Sequence, residues 1–155
     1  MIRLRNVVKK YETLTALDCE SLNIKVGEFV FLVGASGAGK STLMRLVYRE
    51  EKPITGQVIV GGVDVARMPA TKVPCLRRRM GIIFQDFKLL MNYNVFDNVA
   101  LVIRALGMSN REINRRVKGA LSIVGLQDKI DALPVHLSGG EQQRVGIARA
   151  IVNGP

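Results

Sequence analysis

The stretch Gly34-Ala35-Ser36-Gly37-Ala38-Gly39-Lys40-Ser41, followed by Thr42, decides how this sequence is read. It has the form Gly-x-x-x-x-Gly-Lys-Ser, and its surroundings supply what that pattern needs. A continuous apolar run over residues 29–33 stops at Gly34, and Leu43, Met44 and Val47 follow at helical spacing. The pattern predicts a strand buried on both faces, then a glycine loop, then a helix. The glycines allow the backbone to curl around phosphate oxygens with no side chain in the way. The unpaired amides at a helix start point at the anion, and the helix dipole has the right sign. Lys40 brings a full charge to the β- and γ-phosphates, Ser41 a hydroxyl for Mg²⁺, and Thr42 a further phosphate contact.

Working outward, residues 2–7 and the trio Leu22, Ile24 and Val26 alternate as half-buried strands do. Residues 57–60 form another short apolar run, ended by Gly61-Gly62, and residues 81–84 a further one. After Gln85 the texture becomes helical. Asn94 is placed to cap a helix carrying Val95, Val99, Val102, Ile103 and Leu106 on one stripe. Ser109-Asn110-Arg111-Glu112 is a capping-box pattern opening a helix with Ile113, Val117, Leu121 and Val124 inward and a basic outer face, stopped by Gly125. Ser138-Gly139-Gly140-Glu141 repeats the Ser-x-x-Glu pattern before a third helix that runs toward Val152.

Composition bounds the rest. The 155 residues suit one domain of ordinary size, and 48% apolar residues are enough for a packed core. The longest apolar runs, such as residues 29–33 and 99–103, fall far short of the ~18 residues of a membrane helix. No secretory signal opens the chain, so a cytosolic protein is expected. Cys19 and Cys75 stand far apart, in no metal-like spacing, and read as reduced thiols. Basic residues outnumber acidic ones by 23 to 13, giving a formal charge of +10, which nucleic acid, an anionic membrane surface or a phosphorylated ligand would each explain. The clusters Lys9-Lys10, Arg77-Arg78-Arg79 and Arg115-Arg116-Lys118 carry no interleaved aromatics, which argues against a base-stacking platform, and no specific nucleic acid is expected.

The run Leu137-Ser138-Gly139-Gly140-Glu141-Gln142-Gln143-Arg144 resembles the signature motif of the ABC ATPase family. The residues suit that role: Ser138 caps, Glu141 returns a bond, and Gly139 and Gly140 leave the helix start bare for a phosphate. In that family two protomers pair head to tail, so the resemblance implies a homodimer in which Ser138, Gly139, Gly140 and Glu141 contact ATP held by the other protomer. Tyr11 lies where the family carries an aromatic that stacks on adenine. Gln85 resembles the glutamine of the family's Q-loop, a Mg²⁺ ligand beside Ser41. The fold class implied is α/β, a P-loop NTPase core of the ABC ATPase kind with an N-terminal β-subdomain and an inserted α-helical subdomain. Residues 1–85 would form the nucleotide-binding core and β-subdomain, 86–138 the helical subdomain, and 139–155 the signature helix.

Within the family, Phe31-Leu32-Val33-Gly34, Arg49-Glu50-Glu51-Lys52-Pro53 and above all Gln85-Asp86-Phe87-Lys88-Leu89-Leu90 are similar to the bacterial cell-division branch. Its ATPases pair with an FtsX-like membrane subunit, which implies a peripheral protein on the cytoplasmic face of the inner membrane. Residues 85–94 would receive that partner; packing of Phe87, Leu89, Leu90 and Met91 on the chain's own helices is the competing expectation. ATPases of related export or lipoprotein-release transporters, and soluble ABC proteins acting on nucleic acid, stay alternatives. The family continues past the signature helix into a strand ending in Asp-Glu and, later, a histidine, which together organise Mg²⁺ and the attacking water. These groups are not in the sequence, so the resemblance implies a chain incomplete at its C-terminal end that binds ATP but hydrolyses it poorly or not at all. His136, the only histidine, is not that residue, and Glu50, Glu51 and Asp86 have no motif support as substitutes.

Overall fold

In the computed structural model all residues, 1–155, are described, and the chain divides into two compact units, Met1–Leu76 and Arg77–Pro155. The first is built on an antiparallel sheet of order β2-β1-β3-β4, from β1 (Ile2–Tyr11), β2 (Leu14–Ile24), β3 (Thr55–Val60) and β4 (Val63–Asp64). One helix, α1 (Lys40–Val47), packs on β2 and β3 through buried Leu43, Leu46 and Val47. A short helix α2 (Val73–Arg77) follows a 3₁₀ turn.

The alternation expected along residues 2–7 is broken once. Leu4 and Val7 are both fully buried although three positions apart. The pairing with β3 shifts register between Arg5 and Val8, and Asn6 in that gap has φ 47°. This bulge inserts one residue and returns the apolar side chains to the core face. Opposite it, a Cβ on Gly56 would lie 2.3 Å from the Asn6 carbonyl oxygen, so only glycine fits there.

Two expected strands do not form. Residues 29–33 join no sheet, and Phe29, Phe31 and Val33 are 83%, 77% and 85% exposed. Residues 81–84 likewise carry no strand pairing. The reason is topological. A strand apolar on both faces needs hydrogen-bonded neighbours on each side, and every strand of the structure is already committed to the antiparallel sheet. Val26, expected in the second strand, lies beyond the end of β2 and is exposed.

The second unit is helical: α3 (Val95–Arg104), α4 (Asn110–Ile123) and α5 (Gly139–Ile151) pack pairwise against one another. Val95, Val99 and Ile103 of α3, Ile113, Val117 and Leu121 of α4, and Val145 and Ala148 of α5 form one core, with Val102, Leu106 and Val124 partly buried at its edge. The Asn94 side chain accepts from the Asp97 amide at 2.8 Å, the expected cap of α3. The Ser109 cap of α4 is only half of a capping box. Ser109 accepts from the Glu112 amide at 3.4 Å, but the Glu112 carboxylate turns to Arg115 and Arg116 instead of returning to Ser109. Three hydrogen bonds from two guanidinium groups outweigh one from a neutral amide. Gly125, at φ 67°, ends α4 as expected.

Candidate nucleotide-binding site

The loop Gly34–Lys40 enters α1 through Gly39, which takes the N-cap position at φ 82° with no side chain capping the helix. A Cβ at Gly39 would meet the Ala16 carbonyl oxygen of β2 at 2.4 Å, so the sheet and the dihedral both demand glycine there. Gly37 also has positive φ, 81°. The first turn of α1 holds no acidic residue. Its amides and dipole are therefore presented without a competing carboxylate. The Lys40 ammonium is folded back into the loop, donating to the carbonyl oxygens of Gly34 at 2.7 Å and Ala35 at 2.6 Å. Residues 34–38 and Ser41 are exposed, while Thr42 is buried against the core side of the helix. A cradle of this kind fits a phosphate group: positive charge, free amides and no intervening Cβ.

Tyr11 ends β1 at the edge of the same unit. Tyr11 raises the Arg45 guanidinium of α1 above its ordinary value, and the Lys9 ammonium lies 5.0 Å from the Tyr11 ring centroid. Tyr11 therefore stands beside the helix that the phosphate loop opens. The carboxylates flagged as unsupported substitutes are engaged elsewhere. Glu51 pairs with Lys9 at 2.6 Å, and Glu50 accepts from the Tyr48 hydroxyl at 2.6 Å. Burial and that bond push the Tyr48 hydroxyl up to about 12. Asp86 pairs with Lys88 at 2.8 Å, which holds its carboxyl below the ordinary range. No cluster of three His, Cys, Asp or Glu side chains is placed to hold a cation.

In the second unit, Ser138 caps α5 and the capping box with Glu141 is complete. The hydrogen bonds from the Ser138 amide and then its hydroxyl keep the Glu141 carboxyl below its usual value. Ser138, Gly139 and Gly140 are exposed, and the only heavy atom a Cβ at Gly140 would approach is Arg144 Nη1, at 3.8 Å. The helix start is therefore open to solvent, a second anion-ready terminus. Gln85 is exposed in the irregular segment after Phe84. Beyond it the two competing expectations divide: Leu89 packs on the helical core, whereas Leu90, Met91 and Tyr93 are exposed. His136, itself exposed, closes a 3₁₀ turn before the signature whose first residue, Pro134, is buried.

Two residues that sequence reasoning passed over organise this segment. Asn98 of α3 is fully buried; its Oδ1 accepts from the Leu90 amide at 2.8 Å, and its Nδ2 donates to the carbonyls of Leu90, Tyr93 and Asn94. Arg149 of α5 donates to the carbonyls of Phe87 and Lys88, the second at 2.7 Å. An amide on the apolar stripe of α3 was a legible signal for the first. Nothing in the sequence marked the second.

A model of the ABC transporter family matches residues 17–155. The cell division ATP-binding protein FtsE of Streptococcus pneumoniae is 47% identical over all of the chain, which spans 68% of that protein. FtsE of Escherichia coli K12 is 49% identical over all of the chain and 70% of its own length. Among solved structures, the ATP-binding cassette MJ0796, in a dimeric post-hydrolysis state bound to ADP and Pi, superposes with a TM-score of 0.93 at 35% identity, covering the whole chain and 71% of the cassette. The chain belongs to the ABC transporter family, with the fold of its ATP-binding cassettes, and along its whole length it is similar to the FtsE-type ATPases of cell division.

Proposed function

We propose that the chain is the ATP-binding subunit of an ABC-type complex in bacterial cell division, one that couples ATP binding and hydrolysis to a membrane partner of the FtsX type. The observation that carries the reading is the uncapped, glycine-hinged start of α1 with Lys40 drawn onto the loop carbonyls. The loop Gly34–Thr42 grips the triphosphate: amides and Lys40 bind its oxygens, and Tyr11 stacks on adenine. Mg²⁺, when bound, neutralises phosphate charge, and Ser41 and Gln85 are the residues suited to hold it. Ser138, Gly139, Gly140 and Glu141 present the second helix terminus to ATP held by another copy in a head-to-tail dimer.

Residues 85–94 are the surface offered to the membrane subunit; the exposure of Leu90, Met91 and Tyr93 supports this. No helix is long and apolar enough to cross a membrane. On this reading the chain is held at the cytoplasmic face of the inner membrane by that subunit. Residues 1–155 turn ATP over poorly on this reading. The carboxylates near the loop in sequence are held in other bonds, and the first turn of α1 offers none. A transport role is the second reading, favoured by 46% identity to the methionine import ATP-binding protein MetN of Haemophilus influenzae.

Equilibrium ATP binding by Lys40→Ala tests the site. Loss of a charge-assisted contact predicts affinity weakened by roughly tenfold or more; unchanged affinity would remove the assignment. Co-purification with an FtsX-type subunit, set against an import permease, separates the two functional readings.

A further inference from the structure

Between α2 and α3 the chain runs over residues 78–94 without a helix or strand. One helix, α5, seats its first part at three points. The Asn153 side chain, just past the end of α5, donates to the Arg78 carbonyl at 2.6 Å. Gly81 lies so close to α5 that a Cβ there would be 2.7 Å from the Ala150 carbonyl oxygen. Arg149 closes the series by donating one guanidinium nitrogen to each of the carbonyls of Phe87 and Lys88.

Those last two carbonyls belong to strained residues. Phe87 and Lys88 have φ 55° and 49°, two consecutive non-glycine residues in the left-handed region. Each costs about 1–2 kcal/mol unless its surroundings hold it. The left-handed pair turns both carbonyls to one side, where a planar fork of donors fits them. Arg149 has no carboxylate partner in the structure, and burial works against its charge. Its two bonds to the turn are what its guanidinium receives in return.

We infer that Arg149 is a positioning residue: it locks the Phe87–Lys88 turn, which leads into the exposed Leu90–Tyr93 surface that Asn98 of α3 holds, onto the helix whose start carries Ser138–Glu141. The inference deepens the reading of residues 85–94 as the partner surface and rests on it for its functional consequence. The geometry links one rigid body to both ends. The N-terminus of α5 presents the signature, and its C-terminal half holds the turn. A displacement of α5 is carried to the loop backbone through two charge-assisted bonds.

The test uses the 155-residue chain and three variants. Arg149→Ala removes the fork, Arg149→Lys keeps the charge without bidentate geometry, and Arg149→Ala with Lys88→Gly relieves left-handed strain at one of the two positions. Hydrogen exchange is read over residues 84–94 and over α5, with Arg104→Ala, which removes the 2.7 Å pair with Asp97 and the guanidinium 5.9 Å from the Phe96 ring centroid, as a control for general loss of stability. Arg149→Ala should speed exchange at residues 87–91 by roughly tenfold or more while ATP affinity stays within about twofold. Arg149→Lys should fall between, and Lys88→Gly should recover part of the protection; a residue that merely adds stability would not be rescued by a glycine in the loop. Exchange at 87–91 unchanged in Arg149→Ala, or raised equally by Arg104→Ala, overturns the inference. Affinity for an FtsX-type membrane subunit is measured alongside. A loosened turn with unchanged partner affinity retains the positioning role and rejects the partner surface at residues 85–94; a loosened turn with weakened affinity supports both.

Discussion

The amide and the hydroxyl of Ser138 both donate to one carboxylate oxygen of Glu141, each at 2.8 Å, and the Glu141 amide returns a bond to the Ser138 hydroxyl at 3.3 Å. The start of the signature helix is thus fixed by its own two end residues, and the glycines between them stay open to solvent. Ser138→Ala should lose the hydroxyl's share of this arrangement and cost about 1 kcal/mol of stability. Exchange at the amides of Gly139–Gln142 should accelerate, while ATP binding at the phosphate loop of an isolated chain is unchanged. A variant equally protected at those amides would show that the cap does not hold the helix start.

Glu112 makes the acid limb of stability predictable in sign. Hydrogen bonds from Arg115 and then Arg116 hold its carboxyl down at about 2, from an ordinary 4.5. A depressed folded-state value contributes stability that is present above the unfolded value and lost as pH falls through the folded one. The melting temperature should therefore decline as pH drops from 4.5 toward 2, with Glu141, lowered by its cap bonds, adding in the same direction. Glu112→Gln should melt lower than the parent at neutral pH and follow a flatter acid profile. Both ion pairs are solvent-accessible, so added salt should shrink the difference.

Gly39 offers a sharper probe of the loop than Lys40, because it acts through the backbone. Gly39→Ala would place a methyl 2.4 Å from the Ala16 carbonyl oxygen and hold an L-residue at φ 82°. The loop must move away from β2, at a cost of about 1–3 kcal/mol. Nucleotide affinity should fall together with the melting temperature. In Lys40→Ala, by contrast, affinity should fall with stability nearly intact, and a calorimetric titration of both proteins distinguishes the two.

What the sequence disclosed follows from how local each signal is. The Gly34–Ser41 pattern, the Asn94 and Ser138 caps and the apolar stripes on α3 and α4 depend on neighbours a few positions away, and the structure forms them. The strand at residues 29–33 depends on partners the structure does not provide, so the apolar pattern is present while the strand and its burial are not. The bulge at Asn6 was hidden because it requires a register shift against β3. Arg149 was hidden because its partners, two backbone carbonyls about sixty positions away, leave no mark on side-chain chemistry.

The exposure at residues 29–33 has a measurable consequence. Five consecutive apolar residues with unpaired backbone resemble an unprotected sheet edge, and Phe29 and Phe31 meet edge to face, 4.9 Å apart, without covering either ring. The 155-residue chain should self-associate with rising concentration in sedimentation velocity. Phe31→Lys should suppress this while changing stability by no more than about 0.5 kcal/mol, since the ring it removes is largely exposed. A monomer at all concentrations would show that the run does not act as an edge.

Asn98 allows the loop to be loosened from the side opposite Arg149. Replacing it with leucine leaves the Leu90 amide and the Tyr93 carbonyl without its side chain, whereas the Asn94 carbonyl still accepts from the residue-98 amide at 3.0 Å and the Leu90 carbonyl from the Tyr93 amide at 3.1 Å. Each buried group left unpaired costs about 1–3 kcal/mol, so denaturant titration should show a loss of about 2 kcal/mol or more. Aspartate is the more informative change. It keeps an acceptor for the Leu90 amide but turns a second oxygen toward three carbonyls, which favour the protonated acid. Its folded-state pKa should lie above the unfolded value, so Asn98→Asp should regain stability on acidification through that range, opposite in sign to the parent's behaviour near Glu112. An Asn98→Asp protein whose stability falls with pH as the parent's does would mean that the loop has moved off α3 and that the residue 98 side chain no longer faces those carbonyls.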